Sequence, residues 1–230
     1  MEILHEDNHI IIINKAAGEI VQGDKTGDTP LSEKVKEWIK ATYEKPGNVY
    51  LGIPHRLDRP TSGAIIFAKT SKALSRMNEL FRNNDVKKTY WAIVQDAPKP
   101  EAGILKHYLW KNEQQNKSYA YADNRQKKDA KPAVLNYRLI AKSDKYYLLE
   151  IDLETGRHHQ IRCQLATIGC IIKGDLKYGA KRSNPDGSIS LHARSISFTH
   201  PVSKERVDVT APVPDDNLWK ALEKSVGSLV

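Results

Sequence analysis

The sequence predicts an α+β fold, with a large mixed, mostly antiparallel sheet flanked by helices and loops. Segments rich in β-branched and aromatic residues, each bounded by turn residues, outnumber amphipathic ones. The two kinds do not alternate regularly, so a doubly wound parallel sheet is not expected. Size is a further guide: 230 residues, 40% of them hydrophobic, suffice for a proper core. Residues 1–230 are read as a single domain.

A short strand opens the chain, then a turn at Glu6-Asp7-Asn8 and a second strand over His9 to Lys15. Thr29-Pro30 starts a helix, the hydroxyl as cap and the proline in the first helical position. Its Leu31, Val35, Trp38 and Ile39 fall at i, i+4, i+7 and i+8 and make one buried stripe. Pro46-Gly47 closes that segment. Ala64 to Lys69 is a short apolar strand, and Ser71 caps a second helix with Leu74, Met77, Leu80 and Phe81 on one side.

From Lys87 strands dominate, over 87–95, 103–110, 117–122, 132–141 and 145–153. A helix at about 158–168 turns Ile161, Leu165 and Ile168 inward and ends on Gly169 at its C′ position. Strands near 189–199 and 206–210 precede a last helix after Pro214, carrying Leu218, Trp219 and Leu222. The polar stretch from Asn112 to Lys131 holds Lys117, Arg125, Lys127, Lys128 and Lys131 and reads as a mobile basic excursion from the sheet.

This composition excludes disorder and collagen-like structure. The longest aliphatic run, Ile10 to Ile13, is far short of the roughly 20 residues that a membrane span needs. Met1 to Asp7 shows no export signal. Cys163 and Cys170 are too few for a disulfide framework and fit no common zinc spacing, so a reduced cytoplasmic setting is expected. Thirty-six Lys and Arg against 28 Asp and Glu leave a formal charge of +8, which favours a polyanionic partner without naming it.

Three stretches carry chemistry. In Pro54-His55-Arg56-Leu57-Asp58-Arg59-Pro60-Thr61-Ser62-Gly63, two prolines stiffen a loop that leads into a strand. Asp58 lies between Arg56 and Arg59 with His55 nearby, so it is expected to be an anion suited to act as nucleophile or base. The plainer reading is an aspartate that holds a turn. In Leu153-Glu154-Thr155-Gly156-Arg157-His158-His159-Gln160-Ile161-Arg162, Arg157 stands at or before a helix N-terminus, where the macrodipole disfavours cations. Its guanidinium answers to a buried carboxylate such as Asp58, to an RNA phosphate, or on the plainer reading to Glu154 at the surface. In Lys87-Lys88-Thr89-Tyr90-Trp91, alternation puts Tyr90 on one strand face with Lys88, either as packing or as a ring ending in a pocket beside a cation.

Together these stretches resemble the signature motifs of the pseudouridine synthases, in the branch that includes the RluA type and acts on ribosomal and transfer RNA. The matching residues are His55-Arg56-Leu57-Asp58 with Thr61-Ser62-Gly63, Lys88-Thr89-Tyr90, and Thr155-Gly156-Arg157 with His159-Gln160-Ile161-Arg162. Gly174-Asp175, Tyr178-Gly179, Leu191-His192-Ala193 and Phe198-Thr199-His200-Pro201 resemble later landmarks. The sequence departs at Ala16 and Ile171, where the family has proline, at His158 for threonine and at Gln164 for histidine. These departures bear on substrate and local packing rather than on the reaction. The pattern begins at residue 3, so no N-terminal domain of the S4 type is expected beside the catalytic domain.

The resemblance implies isomerisation of uridine: the N1–C1′ bond breaks, uracil turns, and C5 joins C1′. Asp58 would attack C1′ or the base, or take the 2′ proton, and Tyr90 would remove the C5 proton. Arg157 would hold Asp58, and Ile161 would pack on the uracil. A uridine within a helix must be flipped out, and Arg56 would fill the vacated stack. His55, Arg59 and Lys88 complete the substrate-binding set. No metal, nucleotide or redox cofactor is needed. The expected partner is ribosomal or transfer RNA, with no DNA and no membrane, bound by a monomer through salt-sensitive phosphate contacts. Two rivals stay open: a silent RNA-binding module, and a hydrolase that would release free uracil.

Overall fold

The computed structural model describes residues 1–24 and 26–227. In chain order the elements are β1 (Glu2–Glu6), β2 (Ile10–Lys15), α1 (Leu31–Thr42), β3 (Ser62–Ala68), α2 (Ser71–Arg82), β4 (Lys87–Val94), β5 (Ala102–Asn112) and β6 (Lys117–Tyr121). There follow β7 (Lys131–Lys142), β8 (Tyr147–Leu153), α3 (Gln160–Thr167), a 3-10 turn (Leu176–Tyr178), β9 (Leu191–Thr199), β10 (Arg206–Thr210) and α4 (Asn217–Lys224). This is the α+β class that the sequence predicts, a large mixed sheet with flanking helices. The chain gathers into two compact units, Met1–Val86 with Ala193–Pro212, and Lys87–His192 with the residues from Val213 on. No described helix is long and apolar enough to cross a membrane.

In the first unit β1, β2 and β3 pair in antiparallel order, and β10 pairs with β9. Ile10 to Ile13 are all fully buried, as an unbroken aliphatic run on a strand covered on both faces should be. Ile10, Ile12, Ala64 and Ile66 make a core with Met77 of α2 and with Ile196, Phe198, Val207 and Val209. Both helix starts differ from the sequence reading. Thr29 does not cap α1. Pro30 is its N-cap and no side chain caps it, because the backbone carbonyls of Ile20 and Val21 take the N–H groups of Leu31 and Ser32. α2 is capped by Thr70 rather than Ser71, its hydroxyl accepting from the Ala73 N–H at 3.0 Å.

In the second unit the order is β4-β8-β7-β5-β6, every pair antiparallel. Opposed residues share a face. Tyr90 opposes Ile151, Ile151 opposes Tyr137 and Tyr137 opposes Gly103. Along β5 that parity continues to Leu109, which packs with Ala133 and with Cys163 of α3. Tyr90 therefore looks to the α3 face. On the other face Trp91, Ile93 and Leu148 pack against Trp219 and Leu222 of α4.

Ile168 does not turn inward: α3 ends at Thr167, Ile168 leaves helical geometry and is exposed, and Gly169 follows at φ +78°. The segment from Asn112 to Lys131 is not an excursion. Asn112 ends β5, and Lys117–Tyr121 pair with it as the last strand of this unit's sheet, leaving 122–130 outside the ladder.

Candidate active site

The loop bearing Asp58 belongs to the first unit and is held from below by one side chain. Lys15, at the end of β2, is wholly inaccessible to solvent, and its ammonium donates to three carbonyls: Ala16 at 2.9 Å, Arg59 at 3.1 Å and Thr61 at 2.7 Å. Burial pushes its pKa down to about 8, against the pull of Glu19 and Asp58. The backbone between those carbonyls turns tightly, the Thr61 N–H donating to the Asp58 carbonyl at 3.0 Å and the Gly18 N–H to that of Arg59 at 2.8 Å. Gly63 closes the loop at φ +112°, where any side chain would strike the backbone of Ala193.

Around that loop, Leu57 is buried, Asp58 half-buried, and Arg56 and Arg59 exposed. Arg59 forms an ion pair with Asp28. The His55 Nε2 accepts from the Ile66 N–H at 2.9 Å, which leaves its own proton on Nδ1, and its ring stacks on Phe81 at 4.7 Å. His55 is thus a prop between loop and strand as well as a candidate for RNA contact.

Tyr90, Lys88, Arg157 and Ile161 belong to the second unit. Tyr90 is buried in β4, and burial lowers the pKa of the half-buried Lys88 ammonium. The stretch Thr155 to Gln160 is tied by one neutral amide. The Gln160 Oε1 accepts from the Thr155 hydroxyl at 2.8 Å and the Arg157 N–H at 3.0 Å, while its Nε2 donates to the Val134 carbonyl at 3.1 Å. The Arg157 side chain is exposed and its Nε donates to the Pro132 carbonyl at 3.0 Å. Glu154, its alternative surface partner, accepts from Asn136 instead. Ile161 is buried on α3.

The sequence alone assigns Arg162 no role, whereas in the structure it is the most elaborately held arginine of the motif. It is buried, donates to both oxygens of Asp175 at 2.7 and 2.8 Å, and lies over the Tyr178 ring. Gly174-Asp175 and Tyr178 stand in the sequence only as later landmarks of the resemblance, and nothing local links them to Arg162. His159 caps α3 in the left-handed region at φ 51°, with its Nδ1 3.0 Å from the Tyr178 hydroxyl. Burial, with Arg162 and His158 close by, pushes its pKa down to about 2, so its ring is neutral. Among the described residues no group of three or more His, Cys, Asp or Glu is arranged to hold a metal ion.

Comparison with known proteins places this arrangement. Residues 9–167, which contain all three motifs, match the family model described as RNA pseudouridylate synthase. The chain is similar to ribosomal large subunit pseudouridine synthase C of Buchnera aphidicola, 32% identical over 97% of this chain and 70% of that protein. It is similar also to tRNA pseudouridine synthase C of Vibrio cholerae, 30% identical over 99% of this chain and 96% of that one. Among solved structures, human RNA pseudouridylate synthase domain containing 4 shares the fold, with TM-score 0.77 and 24% identity over 95% of this chain and 90% of that chain. The chain belongs to the RNA pseudouridylate synthases, a family of isomerases that act on RNA.

Proposed function

We propose that this protein converts particular uridines of ribosomal or transfer RNA to pseudouridine, with the Asp58 carboxylate as its essential group. The observation that carries the reading is the Lys15 clamp: an ammonium sealed from solvent fixes the carbonyls of Arg59 and Thr61, and so the loop that presents Asp58. A reacting carboxylate must be held within a fraction of an ångström of its target, and this clamp suits that demand. The target is C1′ or the base of a flipped nucleotide, or the 2′ proton, and the oxocarbenium character of the sugar favours an anion close by.

Once C5 is joined to C1′, the proton on C5 must leave, and Tyr90 is the base for that step. Ile161 lies against the uracil, and His55, Arg56, Arg59 and Lys88 engage the RNA. Arg59 exchanges Asp28 for a phosphate when RNA arrives. The reading takes Asp58, Tyr90 and Arg157 as acting on one nucleotide within a single catalytic domain. Arg162 is a second candidate for the guanidinium that steadies Asp58, because it is buried and rigidly held where Arg157 is exposed.

Asp58→Asn is expected to abolish pseudouridine formation, mapped chemically in RNA from a deletion strain carrying the variant gene, while RNA affinity falls only modestly. Wild-type levels of pseudouridine in that strain would refute the reading, and release of free uracil by the wild-type protein would favour a hydrolase. Lysine at 157 and at 162, tested in the same assay, assigns the guanidinium role to whichever position loses turnover with RNA still bound.

A further inference from the structure

The hairpin of β5 and β6 carries an aromatic ladder that no step of the proposed reaction uses. Tyr108 opposes Tyr121 and Trp110 opposes Tyr119, so all four rings stand on one face. All four are half-buried, and the Trp110 and Tyr119 rings lie 6.3 Å apart, tilted by 34°. That face is opposite to the one bearing Tyr90 and α3, and α4 packs on it over β4, β8 and the Ile140–Ala141 end of β7. Over the β5–β6 end the cover is a lysine: the Lys127 ammonium sits 4.4 Å from the centre of Trp110. Lys117 lies 5.5 Å from the centre of Tyr119.

Charge concentrates in the same place. From Lys106 to Lys131 seven Lys or Arg stand against three Asp or Glu, a net +4 and half of the chain's +8. Two of these acids are taken up locally, Glu113 by Lys111 and Asp123 by Arg125. Rings that present a π-face, bordered by ammonium groups, match the chemistry of unpaired nucleotides, whose bases stack and whose phosphates need cations. A cation over an indole marks a surface that favours electron-poor, positively polarised neighbours. A base can take the place of Lys127 on Trp110 while the displaced ammonium pairs with the adjoining phosphate.

We infer that Trp110, Tyr119, Tyr108 and Tyr121 form a stacking platform for unpaired nucleotides of the RNA substrate at a distance from the reacting uridine, with Lys106 and Lys127 on the flanking phosphates. β6 is the last strand of this unit's sheet, so an RNA chain can cross its edge from the Tyr90 face to the platform face. Four strand spacings, about 19 Å, separate β4 from β6, which places the stacked bases several nucleotides from the uridine. The platform rests on the proposed function for the identity of the substrate, and it would select RNAs with a single-stranded flank.

The test compares Trp110→Leu/Tyr119→Leu, which keeps apolar bulk but loses the π-faces, with Trp110→Phe/Tyr119→Phe, which keeps rings. Affinity is measured by anisotropy on a short oligouridylate and on a ribosomal RNA transcript. The leucine pair should bind both probes on the order of tenfold more weakly, with KM for the transcript rising by a similar factor, and the phenylalanine pair should recover most of the loss. Lys127→Gln, at an exposed position where folding is not at stake, should lower the slope of log affinity against log salt by about 1.

Wild-type affinity in the leucine pair, equal weakness of the two pairs, or an unchanged salt slope in Lys127→Gln would each overturn the platform. If the leucine pair fails to fold, as judged by circular dichroism, the salt slope decides. A wild-type protein that binds both probes but makes no pseudouridine would refute the function and leave the platform standing. Normal KM and turnover in the hairpin variants would do the reverse.

Discussion

The two motif loops solve one problem with opposite chemistry. Around Asp58 three carbonyls are gathered by a buried ammonium, whereas Thr155 to Gln160 is gathered by the neutral Gln160 amide. Irregular backbone inside a protein needs partners for its polar groups, and either kind of side chain supplies them. An ammonium brings three donors and a charge, at the expense of desolvation. An amide brings both donor and acceptor and no charge. The ionic solution therefore stands under the loop with the proposed reacting carboxylate. The neutral one stands under a loop that carries Arg157 and leads into the helix bearing Arg162.

This contrast can be broken in three places. Lys15→Met takes the ammonium donor away from the Ala16, Arg59 and Thr61 carbonyls, of which that of Arg59 keeps the Gly18 N–H, so stability should fall by about 3 kcal/mol in urea unfolding. Pseudouridine formation should fall on the order of 100-fold as the Asp58 loop loosens. An active, stable Lys15→Met protein would mean that the turn holds itself. Gln160→Leu removes one donor and one acceptor without exposing a charge, and should lower stability by about 2 kcal/mol, with a smaller loss of turnover.

The mildest probe is pH. Lys15 titrates at about 8 when folded against 10.5 ordinarily, so between those values the unfolded chain holds the extra proton. Stability contributed by this group therefore rises as pH climbs through that window. The neutral amine, however, has two hydrogens for three carbonyls. Turnover should decline above about pH 8 while the melting temperature does not decline with it on this group's account, and the rising component should vanish in Lys15→Met. The Gln160 knot has nothing to titrate, and Gln160→Leu should leave that profile unchanged.

Much of this was legible in the residues. Strand and helix periodicity located the strands and the four α-helices, though not the 3-10 turn, because α1, α2 and α4 bury one stripe and β2 an unbroken run. What escaped was set by partners distant in the chain. Thr29 lost its capping role to carbonyls of Ile20 and Val21, which no local pattern announces. Thr70 and Ser71 are both capping residues, and the choice fell on Thr70, the residue after Lys69, whose N–H still donates to the His9 carbonyl. Polar composition made 112–131 look like an excursion from the sheet, although the strand expected over 117–122 pairs with β5 as part of it. Lys15 looked like an ordinary strand terminus, since burial of an ammonium depends on three carbonyls up to 46 residues away. Arg162 differs from Arg157 through Asp175, which the chain delivers only after α3 has ended.

The short terminal strand β6 has a bearing on solubility. Its five residues begin with Lys117 and end beside Ala122-Asp123, and the Tyr178 hydroxyl takes the Ser118 N–H at 2.9 Å, so the row of backbone groups left on its outer side is brief and starts with a charge. An exposed strand edge of greater length and neutrality templates the addition of a second molecule and seeds fibrils. The same lysine that attends Tyr119 thus helps the protein to remain dispersed at the concentrations a cell requires.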